Sequence, residues 1–198
     1  MTDIDYGPRT ALLVVDLQED FASPNGSLYV PGGDEVLGII NREILRARKA
    51  GSPIIFTQDW HPPDTHHFAK DGGTWPVHCV RDTPGAELIP GIERDEEDTI
   101  TRKGVGGEDG YSAFSVRDTR TGAVSETALN GILEHRRVLR VVIAGLATDY
   151  CVKESALDAV RLGYETIVIR AAVRAVDLQP GDGDRAFAAM AAAGVAIV

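Results

Sequence analysis

In Arg140-Val-Val-Ile-Ala144-Gly145-Leu146-Ala147-Thr148-Asp149-Tyr150-Cys151, an apolar run of strand character ends at a glycine, and a helical pattern begins near Val152. An uninterrupted apolar strand that leads into a helix is the unit of a parallel sheet with helices on its faces. The thiol of Cys151 therefore lies at a strand-to-helix junction. Backbone N–H groups at a helix start can lower a thiol pKa and hold a developing oxyanion, so the position suits a nucleophile. The bland reading of a lone cysteine is a buried core thiol, which is the commoner case.

Two other strand ends shift that balance. Ala11-Leu-Leu-Val-Val-Asp16-Leu17-Gln18 is an apolar run that stops at a carboxylate, and Thr99-Ile-Thr-Arg-Lys103-Gly104 is a short β-rich run that stops at a cation. In open parallel sheets, ligands bind beyond the carboxyl ends of the strands. An Asp there is often a helix cap and a Lys is usually solvated. Acid, cation and thiol at three strand ends are informative only together.

The remaining chain alternates in the same way. Residues 12–15, 53–57, 99–102, 138–144, 165–170 and 196–198 read as strands, the last at an edge, and residues 35–50, 127–137, 152–162 and 183–193 read as helices. The expectation is one α/β domain over residues 1–198: a doubly wound, Rossmann-like, mostly parallel sheet with helices on both faces. A nucleotide-binding protein of similar element order needs a Gly-rich turn after its first strand, and Asp16-Leu-Gln-Glu-Asp20 is not one. Gly104-Val-Gly-Gly107 follows a later strand and precedes acidic residues, so it reads as a flexible loop and not as a phosphate cradle. The irregular stretch from Trp60 to about Pro90 is long enough to be functional, and the polar segment 116–124 is left unplaced, a surface excursion or an interface.

A metal site can be read from residue types. Gln58-Asp59-Trp60-His61 follows an apolar run, and strand alternation turns Asp59 and His61 to one side. A third ligand is available from His66, His67 or His78, and carboxylate with imidazole suits zinc, manganese or iron.

Composition narrows the function classes. The 198 residues carry a net charge of −10 with no basic stripe, which disfavours nucleic acid. Two cysteines make no disulfide framework, the start has no signal-like core, and no apolar run is long enough to span a bilayer. A cytoplasmic protein with no membrane or nucleic-acid partner is expected, and a homo-oligomer, because helix faces of doubly wound folds commonly pair.

The chain resembles the isochorismatase-like cysteine hydrolases and, within them, most closely the nicotinamidases. The resemblance rests on Val14-Val15-Asp16-Leu17-Gln18-Glu-Asp-Phe21, Asp59-Trp60-His61-Pro62, Gly73-Thr-Trp75-Pro-Val-His78-Cys79, Lys103-Gly104, Asp109-Gly-Tyr111-Ser-Ala-Phe114 and Gly145-Leu-Ala-Thr-Asp-Tyr-Cys151-Val152. It implies a catalytic triad of Asp16, Lys103 and Cys151, and an oxyanion hole from the backbone N–H groups of Ala147 and Cys151. It also implies a cis peptide at Leu146–Ala147 and one divalent metal, zinc before manganese or iron. Asp59, His61 and His78 would be the ligands, with His66 and His67 as lid or supporting residues and Cys79 a core thiol.

Phe21, Trp75 and Tyr111 match the walls of a flat ring pocket, whereas Phe114 and Phe187 read as core. The implied reaction is hydrolysis of a small carboxamide, nicotinamide, through a cysteine thioester, in salvage of pyridine nucleotides. Lys103 and the helix start would pull Cys151 below its reference pKa of about 8.5. Amidohydrolases of the same superfamily acting on carbamoyl or ureido substrates keep the triad without the Asp-x-His…His set. Isochorismatase itself needs neither thiol nor metal set, and a catalytically silent scaffold is the reading from a different class.

Overall fold

The computed structural model describes residues 4–198. The apolar runs form strands β1 (Thr10–Val15), β2 (Ile54–Asp59), β3 (Thr99–Lys103), β6 (Arg140–Leu146), β7 (Glu165–Arg174) and β8 (Ala196–Ile197). They make one six-stranded sheet in the order β3-β2-β1-β6-β7-β8, and every neighbouring pair is parallel. β4 (Ser115–Arg117) and β5 (Val124–Glu126) form a separate antiparallel hairpin. The helices are α1 (Glu19–Ala22), α2 (Leu37–Lys49), α3 (Leu129–His135), α4 (Lys153–Arg161) and α5 (Asp182–Ala192).

The period of two along β1 distributes its side chains between two layers. Leu12 and Val14 pack with Ile40, Ile44 and Ala47 of α2, while Ala11, Leu13 and Val15 pack with Leu133 of α3, Ala156 of α4 and Met190 of α5. Each such aliphatic side chain contributes about 1.5–3 kcal/mol by leaving water. Helices thus cover both faces, as the alternating pattern requires. Among the described residues no helix is long and apolar enough to cross a membrane.

The strand order reverses between β1 and β6, and this topological switch point lies where the carboxyl ends of the central strands diverge. Gly145 makes that junction possible: its φ is +116°, and a Cβ there would lie 2.0 Å from the Val15 carbonyl oxygen. The pairing of β6 with β7 shifts register between Ile143 and Gly145, after which β7 continues to Arg174. Ala171 and Ala172 carry too little apolar signal for that extension to be read in the sequence.

Segment 116–124, left unplaced in the sequence, covers most of the surface β4–β5 hairpin. Its turn is closed by Asp118, whose carboxylate accepts the N–H groups of Arg120 at 3.0 Å and Thr121 at 2.7 Å. The Gly104–Gly107 cluster forms a turn, in which the Gly107 N–H donates to the Gly104 carbonyl at 3.0 Å and Thr65 Oγ1 donates to the Gly107 carbonyl at 2.7 Å. The stretch from residue 60 to 90 is irregular as expected; bridges His61 to Val80 and Phe68 to Trp75 tie it to itself, and Leu88 to Gln18 ties it to the segment after β1.

Candidate active site

Each of the three strand-end residues arrives at the same place. Asp16 follows β1 in a left-handed conformation, φ 45°, which an Asp tolerates better than most residues. The Thr57 hydroxyl on β2 fixes its carboxylate by donating to Oδ1 at 2.5 Å. Lys103 ends β3 in register with Asp59 at the end of β2. Its ammonium lies 2.8 Å from Asp16 Oδ2, 2.5 Å from Asp59 Oδ1 and 3.7 Å from Cys151 Sγ, and it donates to the Gly110 carbonyl. Oxygens of Asp16 and Asp59 and the sulfur of Cys151 fall within 4.8 Å of one another.

Burial governs the charges here. It opposes the charged form of Lys103, but Asp16 and Asp59 outweigh it and hold the ammonium protonated well above its ordinary range. Burial also works against Asp59, which Lys103, His61 and His78 nevertheless keep ionised. Asp16 moves the other way: burial, aided by Asp59, raises it against the pull of Lys103. The expected lowering of the Cys151 thiol is not what the site imposes. Burial raises it well above its ordinary value, and Asp16 and Asp59 add to the rise against the single favourable charge of Lys103. Two buried carboxylates thus face one ammonium beside the thiol.

Cys151 belongs to a π-helical turn, Thr148–Val152, that leads into α4 and not to the first turn of a regular helix. The Leu146–Ala147 peptide is cis. Ala147 and Cys151 both line an apolar pocket whose other walls include Phe21, Trp75, Tyr111 and Tyr150. Trp75 Nε1–H donates to the Tyr111 hydroxyl at 2.7 Å, and the Trp75 and Tyr150 rings meet edge to face at 4.9 Å. Phe21 packs on His78 at 5.3 Å. Tyr150 is a wall residue that sequence reading missed; its adjacency to Cys151 was the available signal. Phe114 is core, and Phe187 lies under the Arg170 guanidinium at 3.9 Å.

Opposite the thiol, three imidazoles converge. Ring nitrogens of His61, His67 and His78 lie within 4.8 Å of one another, all three residues buried. Asp59 faces them with its second oxygen, Oδ2, 3.9 Å from His61 Nε2. His67, expected only as a lid or supporting residue, is a full member of the cluster, stacked on His61 at 4.5 Å. His66 is exposed and turned away, its Nδ1 on the Asp71 carbonyl at 2.8 Å.

The donor set fits a divalent metal. His78 Nδ1 meets the Pro76 carbonyl at 2.7 Å and His67 Nδ1 meets Asp109 Oδ1 at 2.6 Å. Both partners only accept, so Nδ1 carries the hydrogen in each ring and Nε2 keeps a free lone pair. Burial lowers His67 and brings His78 down to about 4, so both are the neutral ligand form. Among the described residues, both nitrogens of the buried His61 are without a hydrogen-bond partner. Such groups cost about 1–3 kcal/mol each, and a cation bound at one of the two nitrogens would remove that nitrogen's share.

Gly104 is part of this construction. Its φ is +71°, and a Cβ would lie 2.5 Å from His61 Cε1. Gly104→Ala is expected to displace the His61 ring and to cost about 1–2 kcal/mol in backbone strain alone, or a few degrees of melting temperature. A melting curve superimposable on the parent's would show that the loop yields and that the glycine is not required.

Gln18 was quoted in the sequence motif without a role. Its buried amide donates to the carbonyls of Asp59 and Ala86, both at 2.8 Å, and accepts the Asp59 N–H at 2.8 Å, which pins the backbone of β2 beneath the histidines.

The isochorismatase domain family matches residues 10–198. The nicotinamidase of Escherichia coli (strain K12) is 37% identical over 206 aligned positions, covering 96% of this chain and 94% of that protein. The zinc complex of the pyrazinamidase of Pyrococcus horikoshii superposes with a TM-score of 0.85 at 38% identity, over 96% of this chain and 99% of the other. The yeast nicotinamidase bound to the inhibitor nicotinaldehyde gives 0.87 at 31% identity, with coverage of 96% and 99%. The family match and the near full-length similarities agree, and this chain belongs to the isochorismatase family of α/β proteins.

Proposed function

We propose that this protein is a metal-dependent nicotinamidase that hydrolyses nicotinamide to nicotinate and ammonia. The observation that carries the reading is one apolar, aromatic-walled pocket with Cys151 at one side and the His67–His78 side of the imidazole cluster at the other. A flat heteroaromatic amide has an uncharged ring for Trp75, Tyr111 and Phe21, a ring nitrogen to coordinate, and a carboxamide to present to the thiol.

In this mechanism Asp16 removes the thiol proton as Sγ attacks the amide carbon. The tetrahedral oxyanion is held by the backbone N–H groups of Ala147 and Cys151, each donor of this kind typically supplying about 3 kcal/mol. Asp16 returns the proton to nitrogen, and ammonia leaves a thioester on Cys151. Asp16, a base again, then deprotonates the water that releases nicotinate. Lys103 opposes the rise that burial imposes on Asp16 and neutralises charge as the thiolate forms. Asp59, His61 and His78, joined by His67, would hold the divalent ion, and zinc is the first choice because the Pyrococcus relative is a zinc complex. When bound, the ion supplies a Lewis-acid contact to the ring nitrogen.

The test is ammonia release from nicotinamide by purified protein before chelation, after it, and after zinc or manganese is restored. Activity should vanish on chelation and return with metal. Release indifferent to chelation removes the metal from the reading, and no release with any metal removes nicotinamide and points to carbamoyl or ureido amides.

A further inference from the structure

We propose that Asp109 is the positioning residue of the imidazole cluster, and that the β4–β5 hairpin exists to hold Asp109 in place. The inference rests on the metal reading above. It begins with a surface feature that core packing does not explain. All three residues of β5 are exposed, Val124 at 60%, so the hairpin buries little apolar surface. It is nonetheless built with care at both ends. Its foot is tied to the buried Asp158 of α4, which accepts the hydroxyls of Ser112 at 2.7 Å and Ser115 at 2.8 Å. Its tip is closed by Asp118, as described above.

Between foot and tip, the hairpin makes one further connection. Arg117 of β4 and Asp109 exchange both backbone hydrogen bonds, at 2.8 and 2.9 Å. This adds Asp109 as a third strand position and fixes the direction of its side chain. The carboxylate reaches 2.6 Å to Nδ1 of His67, whose own side chain is 4% exposed. An ion pair on an open surface contributes little. Here the acceptor instead selects one tautomer of a buried ring and turns Nε2 toward His61 and His78.

The segment that carries Asp109 also touches the catalytic side. Gly110, the next residue, accepts the Lys103 ammonium through its carbonyl. Gly107 accepts Thr65 Oγ1, which in turn accepts the His67 N–H at 3.1 Å. Loop 104–110 therefore joins the lysine to the histidine loop, and the hairpin is its outer brace. Without the carboxylate, His67 keeps its packing but loses the partner that sets its tautomer and angle.

The test compares zinc affinity, by competition with a chromophoric chelator, and the visible spectrum of the cobalt-substituted protein in the parent, Asp109→Ala, Asp109→Asn and Arg117→Pro. Arg117→Pro removes the N–H given to Asp109 without touching either side chain of the His67–Asp109 pair. Thermal unfolding of each metal-free protein reports the fold independently. Asp109→Ala should weaken zinc binding about 10–100-fold and alter the cobalt spectrum while the metal-free melting temperature stays near the parent's. Asp109→Asn should lose less, since its amide oxygen still accepts from Nδ1–H, and Arg117→Pro should also weaken binding. Parent-like affinity and spectrum in Asp109→Ala would overturn the role; should that variant fail to fold, parent-like behaviour of both Asp109→Asn and Arg117→Pro would overturn it equally. If the parent itself binds no divalent ion, the metal reading fails and this inference with it, a result separable from loss in the variants alone.

Discussion

Cys151→Ala is expected to abolish ammonia release from nicotinamide, a fall of about four orders of magnitude or more, while the ring still binds. In the proposed mechanism the thiol sulfur is the atom to which the carbonyl carbon bonds, and the other nucleophile candidates near it are carboxylates already committed to Lys103. Alanine removes only the sulfur, because Cys151 is 8% exposed and packs among Val152, Ala156 and other apolar neighbours that tolerate a smaller side chain. Binding should persist because the walls at Phe21, Trp75 and Tyr111 and the imidazole cluster are untouched. Equilibrium binding of nicotinamide and single-turnover hydrolysis, measured on the same preparation, separate the two. Hydrolysis that survives in the variant would remove the covalent mechanism.

The second large effect is expected from Lys103→Met, and it falls on stability as well as turnover. The ammonium is 1% exposed and touches two carboxylates. Its removal leaves two buried anions facing each other, and breaking a buried pair from one side typically costs about 3–5 kcal/mol. At about 2–4 °C per kcal/mol for a domain of this size, melting should fall by roughly 6–20 °C. Asp16→Asn in the Lys103→Met background removes one of the stranded charges, so it should recover part of the melting temperature and none of the activity. That non-additivity is the signature of coupled charges. If the single variant melts with the parent, the electrostatic account of the triad is wrong.

The same imbalance of charge explains why reading the thiol from its position along the chain went astray. A helix start beside a lysine lowers a thiol pKa, and both features could be seen in the order of residues. What raises the Cys151 thiol is first its burial and then, after Asp16, the second carboxylate Asp59, brought alongside by the register of β2 with β3. Neither is a property of the local sequence. Asp59 itself was read only as a metal ligand, yet one of its oxygens binds Lys103 and the other faces the histidines, so it joins the two halves of the site.

What could be read directly from the order of residues is what depends on short-range periodicity. Apolar runs of strand length define the sheet, and Asp16 and Lys103 at strand ends, with Cys151 at a strand-to-helix junction, could be marked together as candidates without coordinates. The histidine cluster could be read halfway: Asp59 and His61 share a strand end, so their proximity is local. His67 and Asp109 stand 42 positions apart, each in an irregular segment with no period, and the polar hairpin that joins them buries no apolar face to betray it. Local pattern sets where a strand ends and which way its last side chain points. The gathering of His61, His67 and His78, the rise of the Cys151 thiol and the contact of Asp109 with His67 come from contacts between segments that only folding brings together.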